Sequence, residues 1–308
     1  MRKGVLALIA GSLVVCATFS AYLVTTPRVG CLLEGTPAPS RVWFTFDIYK
    51  ALQFYLALRT PLGLEAEYPQ SKTVWIADDQ ALDYYALQKI YNITGNSTAL
   101  AAATEINESA RNWGGLYAYW NPAFEAFGCY PASSDVLWGT DVTIKGSVDG
   151  YAVRATEFSS DPLYPISLFA DQLAYRTLLY LHLGDYFIAE GLFSSLSGMW
   201  TVSGGQGFTD LALWQQGGLY QSYKLALYVI VWNQLEDNPA TQQFAAGYSS
   251  IVMKVLQLMA NLQSSGGGVW TGYRFSGGKM VYGGNLTAAN GETTSLFILA
   301  DGWAPLRV

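Results

Sequence analysis

Residues 78–120 read DDQALDYYALQKIYNITGN, STALAAATEINESARNW and GGLYAYW, and this stretch decides the fold. Apolar residues recur at helical spacing on both sides of Gly95-Asn96, which predicts two helices joined by a short turn and followed by Gly-Gly and alternating aromatics. The phrase returns twice. Residues 168–185, 186–200 and 204–208 read LFADQLAYRTLLYLHLGD, YFIAEGLFSSLSGMW and GGQGF, and residues 219–238, 241–262 and 266–273 read LYQSYKLALYVIVWNQLEDN, TQQFAAGYSSIVMKVLQLMANL and GGGVWTGY. Their turns superpose on Tyr91-x-x-x-Gly95-Asn96, Tyr180-x-x-x-Gly184-Asp185 and Trp232-x-x-x-Glu236-Asp237. One hairpin cannot bury its own apolar face, so the repetition predicts an array whose members complete one another's core.

Outward from these copies, the spacing predicts a helix over Phe46 to Leu58, stopped before Pro61, and a loop over Leu62 to Trp75. Asp78 or Asp79 is expected to cap the following helix, because a carboxylate there accepts free first-turn amides and complements the helix dipole. Between Gly114 and Asp161 the period shortens and β-branched residues alternate, which predicts short strands or long loops. Helices are expected again from about Pro165, from Asp210 through Asn233, and from Pro239 to about Gln263. Residues 266–290 read as a Gly-rich hairpin, and the last helix opens at Asn290-Gly291-Glu292 and ends near Trp303. This gives about eight helices, mostly paired in sequence.

With 308 residues, 51% hydrophobic and 13% charged, the chain can bury one large core. Arg2 and Lys3 precede an uncharged apolar run, Gly4 to Val24, whose roughly 20 residues at about 1.5 Å each match a hydrocarbon core of about 30 Å. Residues 1–24 are therefore a signal peptide, cleaved near Val15-Cys16-Ala17, or a retained membrane anchor. Either fate leaves the basic end in the cytoplasm and places the rest outside the cell, as an extracellular or surface protein. Residues 25–40, with Pro27, Pro37 and Pro39, read as a stalk, and residues 41–308 as the folded domain. Export agrees with four Asn-x-Ser/Thr acceptors, at Asn92, Asn96, Asn107 and Asn285, some of which can equally be ordinary Asn caps. Outside the cell Cys31 and Cys129 either oxidise to one another or remain two buried thiols, while Cys16 stays in the apolar run. The net charge of −6 and the lack of a basic stripe exclude nucleic acid as a partner.

The string ADDQALDYYALQKIYNITGN, the Gly-Gly-aromatic segment that ends its hairpin, and the closing NGETTSLFILA resemble the inner-helix, outer-helix unit of the α/α-toroid enzymes. This superfamily of six-hairpin glycosidases includes N-acylglucosamine 2-epimerase-like proteins and unsaturated glucuronyl hydrolases. The resemblance covers roughly residues 45–303 and concerns architecture, since the diagnostic catalytic signature of any one member is missing. It implies a mainly α fold, an incomplete or reduced (α/α) toroid with short β-hairpin insertions, because the chain is short for a full ring of twelve helices. It also implies a bowl at one end of the inner helices, where Asp78, Asp79, Glu292 and Glu65 or Glu67 would stand.

Hydrolysis of a glycosidic bond needs one carboxylic acid to protonate the leaving oxygen and one carboxylate to activate water or attack carbon. Asp78 or Asp79 paired with Glu292 is the expected catalytic pair, against the alternative that each only caps its own helix. Asp83, one turn further on, either faces the cleft or is a solvated surface acid. Aromatic faces bind pyranose rings, and Trp75, Trp113, Trp120, Trp270 and Tyr273 fall where a bowl would draw its lining. No cofactor or metal is expected: His182 is the one histidine, which argues against a zinc site or a Ser-His-Asp triad, and Asp135, Asp141 and Asp149 lack EF-hand spacing. The expected partner is a polysaccharide or other glycan, met by a glycoside hydrolase-like enzyme or by a non-catalytic sugar-binding or structural protein of the same fold.

Overall fold

A computed structural model describes residues 44–76, 79–117, 126–127, 140–158, 165–201, 206–282, 288–300 and 303–305. All of them belong to the unit Cys31–Val308, which separates from Met1–Gly30. The apolar run, the stalk, both Cys31 and Cys129, Asp78, Trp120 and Asn285 lie outside the described residues. No helix among the described residues is long and apolar enough to cross a membrane.

The architecture is mainly helical with small sheets. Strand β1 (Phe44–Phe46) leads into α1 (Ile48–Leu58), and β2 (Thr73–Trp75) precedes the hairpin of α2 (Asp79–Thr94) and α3 (Ser97–Ala110). Strands β3 (Thr140–Val148) and β4 (Tyr151–Phe158) separate this hairpin from a second one, α4 (Ala170–His182) and α5 (Tyr186–Gly198). Then come β5 (Trp200–Thr201), β6 (Gly207–Phe208), α6 (Leu211–Gln215), β7 (Tyr220–Gln221) and α7 (Tyr223–Asp237). Helices α8 (Gln242–Ala246) and α9 (Ser249–Met259) follow, with β8 (Val269–Trp270), β9 (Gly272–Ser276), β10 (Lys279–Tyr282), β11 (Ala289–Asn290), α10 (Gly291–Leu299) and β12 (Trp303–Pro305).

The first two repeats turn as their sequence predicts. Gly95 (φ +67°) and Gly184 (φ +75°) take the left-handed conformation that ends a helix, a region costly for residues with a Cβ. The next residue then caps the outgoing helix: Asn96 Oδ1 accepts from the Thr98 amide at 2.9 Å, and Asp185 Oδ1 from the Ile188 amide at 3.2 Å. Asn96 is thus a helix cap, whereas Asn92 is exposed and Asn107 half-buried. The third copy departs from the superposition, because it has no glycine at the corresponding place. There α7 runs on through Asp237, and Asn238 makes the turn by accepting from the Ala240 amide at 2.9 Å.

Other boundaries differ from expectation. The helix predicted over 210–233 is two helices, since α6 stops before Gly217-Gly218 and Tyr220-Gln221 leave as a strand to pair with β9. The helix predicted from 239 to 263 breaks at Gly247-Tyr248, and the predicted loop 62–75 contains β2, which pairs in parallel with β4. Ten α-helices stand among the described residues, against the eight expected, and the extra ones are the short α6 and α8. Of the alternating segments, residues 114–117 form turns, whereas β3 and β4 form an antiparallel hairpin around Asp149-Gly150; the Gly-rich segment forms another, β9 and β10, around Gly277-Gly278.

Four helices form the inner layer, packed in the order α2, α10, α7, α4, with α3 outside α2, α5 outside α4, and α8 and α9 outside α7. Their burial explains the arrangement. In α7 every residue from Lys224 to Trp232 is buried, as a helix apolar on all sides must be, whereas α3 buries only the stripe Ala99, Ala102, Ala103, Ile106 and Ala110. Side-chain pairs show that the four run parallel. Near their N-terminal ends, the Tyr223 hydroxyl donates to Asp171 at 2.9 Å and the Ser295 hydroxyl to Asp83 at 2.7 Å. Near their C-terminal ends, Asn233 donates to the Ala300 carbonyl at 2.6 Å and Lys89 to the Leu299 carbonyl at 3.5 Å. One side of the layer therefore carries four helix N-termini, and the other carries the hairpin turns.

The Gly-rich segment after α9 packs against α1. A Cβ on Gly267 (φ +96°) would run into the Lys50 carbonyl, and one on Gly268 into the Phe54 ring. Gly267→Ala is expected to cost about 1–3 kcal/mol, measured by urea unfolding, because it adds backbone strain to the overlap. Gly277→Ala, with open space around it, serves as the control for strain alone.

Candidate functional site

The N-terminal ends of the inner helices bring acids to one side. Asp79 is the first residue of α2, Asp171 the second of α4 and Glu292 the second of α10. Carboxylates are favoured at these positions by the partial positive charge of unpaired amides. The fourth inner helix opens differently. Helix α7 begins Ser222-Tyr223-Lys224, and Lys224 is buried with its Nζ 2.5 Å from Asp210 Oδ2 and 3.7 Å from Asp171 Oδ1.

Asp210 is bound on every side. Its Oδ1 accepts from the Leu213 amide at 3.1 Å, which starts α6, and its Oδ2 accepts from the Ala170 amide at 3.0 Å, which starts α4. It thus joins the beginnings of three helices through one carboxylate and one ammonium. Tyr223 bridges to the neighbouring acids. Its hydroxyl is held well above its ordinary pKa, first by burial and then by the charges of Asp171, Tyr175 and Glu292, so it remains a neutral donor to Asp171. Glu292 and Asp171 therefore act on the same hydroxyl from α10 and α4.

Around the start of α7 several buried polar atoms have no hydrogen-bond partner: Gln221 Oε1, Ser222 Oγ, Asp171 Oδ1 and Trp270 Nε1. Gln221, Ser222 and Trp270 are neighbours through the backbone, and Asp171 reaches them through Tyr223. The Ser222 amide donates to the Thr271 carbonyl at 2.9 Å, and Gln221 is registered against Gly272 in the β7–β9 pair, so Trp270 lies beside both. Each unsatisfied group costs about 1–3 kcal/mol, which folding alone gives no reason to keep.

A second acidic group lies deeper, between α1, α2 and α10. Asp83 is fully buried, and its Oδ1 accepts from Ser295 Oγ, which in turn lies 2.7 Å from the Tyr55 hydroxyl. Burial raises the Asp83 carboxyl to about 7, against the lowering pull of the Ser295 hydrogen bond. Glu65, 1% exposed, is likewise raised well above the ordinary range, first by burial, then by the charge of Asp83, with Arg59 pulling it down. The Gln80 side chain clamps the Glu65 backbone, accepting from its amide at 2.8 Å and donating to its carbonyl at 2.9 Å. Glu65 Oε2 and Asp83 Oδ2 have no hydrogen-bond partner. Asp83 is thus neither a cleft acid nor a surface acid, the two alternatives its helical position left open.

Of the residues the sequence singles out, Glu292 stands half-buried beside Tyr223, and Asp79 is buried at the start of the adjoining α2. Glu67 contributes its carbonyl, which accepts from the Gly291 amide at 3.2 Å. Trp270 is half-buried and stacks on Tyr282 at 6.0 Å. Tyr273 is fully buried, stacked on Tyr220 at 5.3 Å, and its hydroxyl donates to the Gln206 carbonyl at 2.9 Å, which leaves it no face for a ligand. Trp75 and Trp113 belong to the neighbourhood of the β2–β4–β3 sheet: the Arg154 guanidinium lies 5.8 Å from the Trp75 ring, and Trp113 sits against Gly146. His182 ends α4 half-buried, its pKa lowered by burial. Among the described residues no group of three or more His, Cys, Asp or Glu side chains is arranged to hold a metal ion.

Asp171, Asp210, Gln221, Ser222, Tyr223 and Lys224 escape a reading of the sequence for catalytic acids. Two signals point to them. The dipeptide Asp79-Gln80 recurs as Asp171-Gln172 at the start of the second inner helix, and Lys224 is the one charge in an apolar run that only a buried partner can accommodate.

No known protein family matches the sequence, and no curated protein does. Among solved structures the chain is distantly similar to a polysaccharide lyase, at 15% identity and a TM-score of 0.33, over 73% of this chain and 60% of that one. The chain thus spans 60% of that lyase's length.

Proposed function

We propose that this is an exported, surface-associated carbohydrate-active protein, a glycoside hydrolase-like enzyme built on an incomplete α/α toroid. The observation that carries the reading is the pair of unsatisfied polar atoms on the half-buried Gln221 and Trp270 near the start of α7, beside two carboxylates acting on one tyrosine. A saccharide offers what such a place lacks, namely hydroxyls that both donate and accept, together with an apolar ring face for Trp270. Glu292 and Asp171 are the paired carboxyls in this reading, one protonating the glycosidic oxygen and the other activating water. Asp79, one helix further along, orients the bound sugar.

The purified protein offered a panel of polysaccharides is expected to release reducing ends from at least one of them. Glu292→Gln should lower kcat by about 10²–10⁴ while leaving substrate affinity within a few fold, as expected when a proton-transfer group is lost. Melting temperatures compared in parallel separate this from misfolding. Binding without turnover is the second reading, favoured by the engagement of Asp171 with Tyr223 and Lys224. Glycan binding that Glu292→Gln leaves unchanged, with no product from the wild type, selects it. No binding to any glycan removes both.

A further inference from the structure

The segment between Asp210 and Gln221 leaves the candidate site and returns to it. At one end the Asp210 carboxylate holds Lys224 and amides in the first turns of α4 and α6. At the other, Gln221 leads through Ser222 into α7. The ten residues between them, LALWQQGGLY, carry no charge. Ala212 and Leu213 are buried and anchor the excursion, whereas Trp214, Gln215, Gln216, Gly217 and Gly218 stand exposed at its crest.

Trp214 is 69% exposed, so folding gains little from its ring. The backbone beneath it is nonetheless fixed. The Gln216 amide donates to the Ala212 carbonyl at 2.9 Å, the Gly217 amide to the Trp214 carbonyl at 3.3 Å and the Gly218 amide to the Leu213 carbonyl at 2.8 Å. Gly217 and Gly218 take the left-handed conformation that closes this turn, and α6 ends before them. The excursion thus presents one indole on a short, closed rim beside the site.

The surroundings of Trp214 select its ligand. A protein or lipid partner is met by a contiguous apolar patch, but Leu211 and Leu219 are half-buried and Leu213 is buried, so the indole stands among residues 211–220 as the one large apolar group exposed. Its exposed neighbours are two carboxamides and two glycines. A pyranose ring uses that combination, because its apolar face lies on an indole while its hydroxyls exchange hydrogen bonds with carboxamides, which both donate and accept. The uncharged crest offers nothing to the carboxylate or sulfate of an acidic glycan.

We infer that Trp214, Gln215 and Gln216 bind an uncharged stretch of polysaccharide that continues from the candidate site, so that the protein engages a polymer rather than a single sugar. The inference rests on the carbohydrate reading proposed above, in either its catalytic or its non-catalytic form.

The test is affinity electrophoresis of the purified full chain in native gels that contain hydroxyethylcellulose or galactomannan, or, as acidic probes, polygalacturonate or alginate. At least one neutral polymer should retard the wild type. Trp214→Ala should bind that polymer about tenfold more weakly, as when one aromatic anchor is removed, and Trp214→Tyr, which keeps a ring, should bind it within a few fold of wild type. Melting temperatures of both variants should match wild type, because the exposed ring packs on little. Neutral-polymer binding that Trp214→Ala leaves intact overturns this inference and leaves the carbohydrate reading standing, as does binding confined to the acidic polymers. Retardation by none of the polymers overturns both. A complex of two chains that Trp214→Ala dissolves, read by light scattering, also overturns the inference, since a second copy would then cover the ring.

Discussion

Lys224→Met is expected to destabilise the protein by about 3–5 kcal/mol at pH 7, read from urea unfolding, because it leaves buried carboxylates without their counter-charge. Lys224 and Asp210 are each 4% exposed, so water cannot replace the lost ammonium. The damage concentrates at the helix beginnings that Asp210 joins, through the amides of Ala170 and Leu213. Neutralising the partner should recover much of the loss: Lys224→Met with Asp210→Asn is expected to be more stable than Lys224→Met alone, since the amide oxygen still accepts a backbone hydrogen bond. The double-mutant cycle isolates the ion pair from the caps. Equal stability of Lys224→Met and wild type would show that the pair contributes nothing net.

Asp83→Asn is the opposite case. A carboxyl raised from 3.8 to about 7 in the folded chain keeps a proton that the unfolded chain releases. Between these values the native state binds more protons, so stability is full below about pH 4 and is lost as pH rises to about 7. The difference between these two values corresponds to about 4 kcal/mol, at about 1.4 kcal/mol for each tenfold change in proton affinity. Glu65, raised by burial and by Asp83, acts in the same direction, while Arg59 opposes it. Asparagine cannot ionise yet can still accept from the Ser295 hydroxyl. Asp83→Asn should therefore match wild type at pH 4, exceed it by up to about 4 kcal/mol at pH 8, and flatten the pH profile between 5 and 7. A variant less stable than wild type at pH 8 would sink this account, because the charged carboxylate would then be satisfied by partners of its own.

These two residues also show where a sequence stops being legible. Asp83 lies one turn after Asp79 on a helix whose period is plain, but period alone does not say that α2 is surrounded by α1, α3 and α10. Its surroundings come from Tyr55 and Ser295, respectively 28 residues before and 212 after it. The beginnings of helices with matching caps were readable, as at Gly95-Asn96, Gly184-Asp185 and Asn290, because cap chemistry is local. The end of α6 is marked locally by Gly217-Gly218, both in the left-handed region, but the strand that follows is not, because it depends on the pairing of Tyr220 with Tyr273, a contact across 53 residues.

The candidate site divides in the same way. Glu292 was legible as a first-turn acid after Asn290, and Trp270 as an aromatic beside glycines. That Glu292 shares Tyr223 with Asp171 depends on α10, α7 and α4 being parallel neighbours, which no local pattern encodes. Tyr273 looked like Trp270 in sequence, yet it is buried because β9 pairs it directly opposite Tyr220, whose ring stacks on it, whereas Trp270 belongs to β8 and pairs with Ala289.

By itself the sequence determined the helical hairpins, their first two turns and caps, and the β9–β10 ribbon, and it narrowed residues 114–161 to strands or loops, since each follows from side-chain periodicity and backbone preferences within a few residues. Only the tertiary structure decided the order of the inner helices, the burial of Asp83 and Glu65, and the gathering of Asp171, Tyr223, Lys224 and Glu292 at one side. Those depend on which apolar faces meet, and the hydrophobic effect that drives them together is non-directional: it rewards burial without naming the partner.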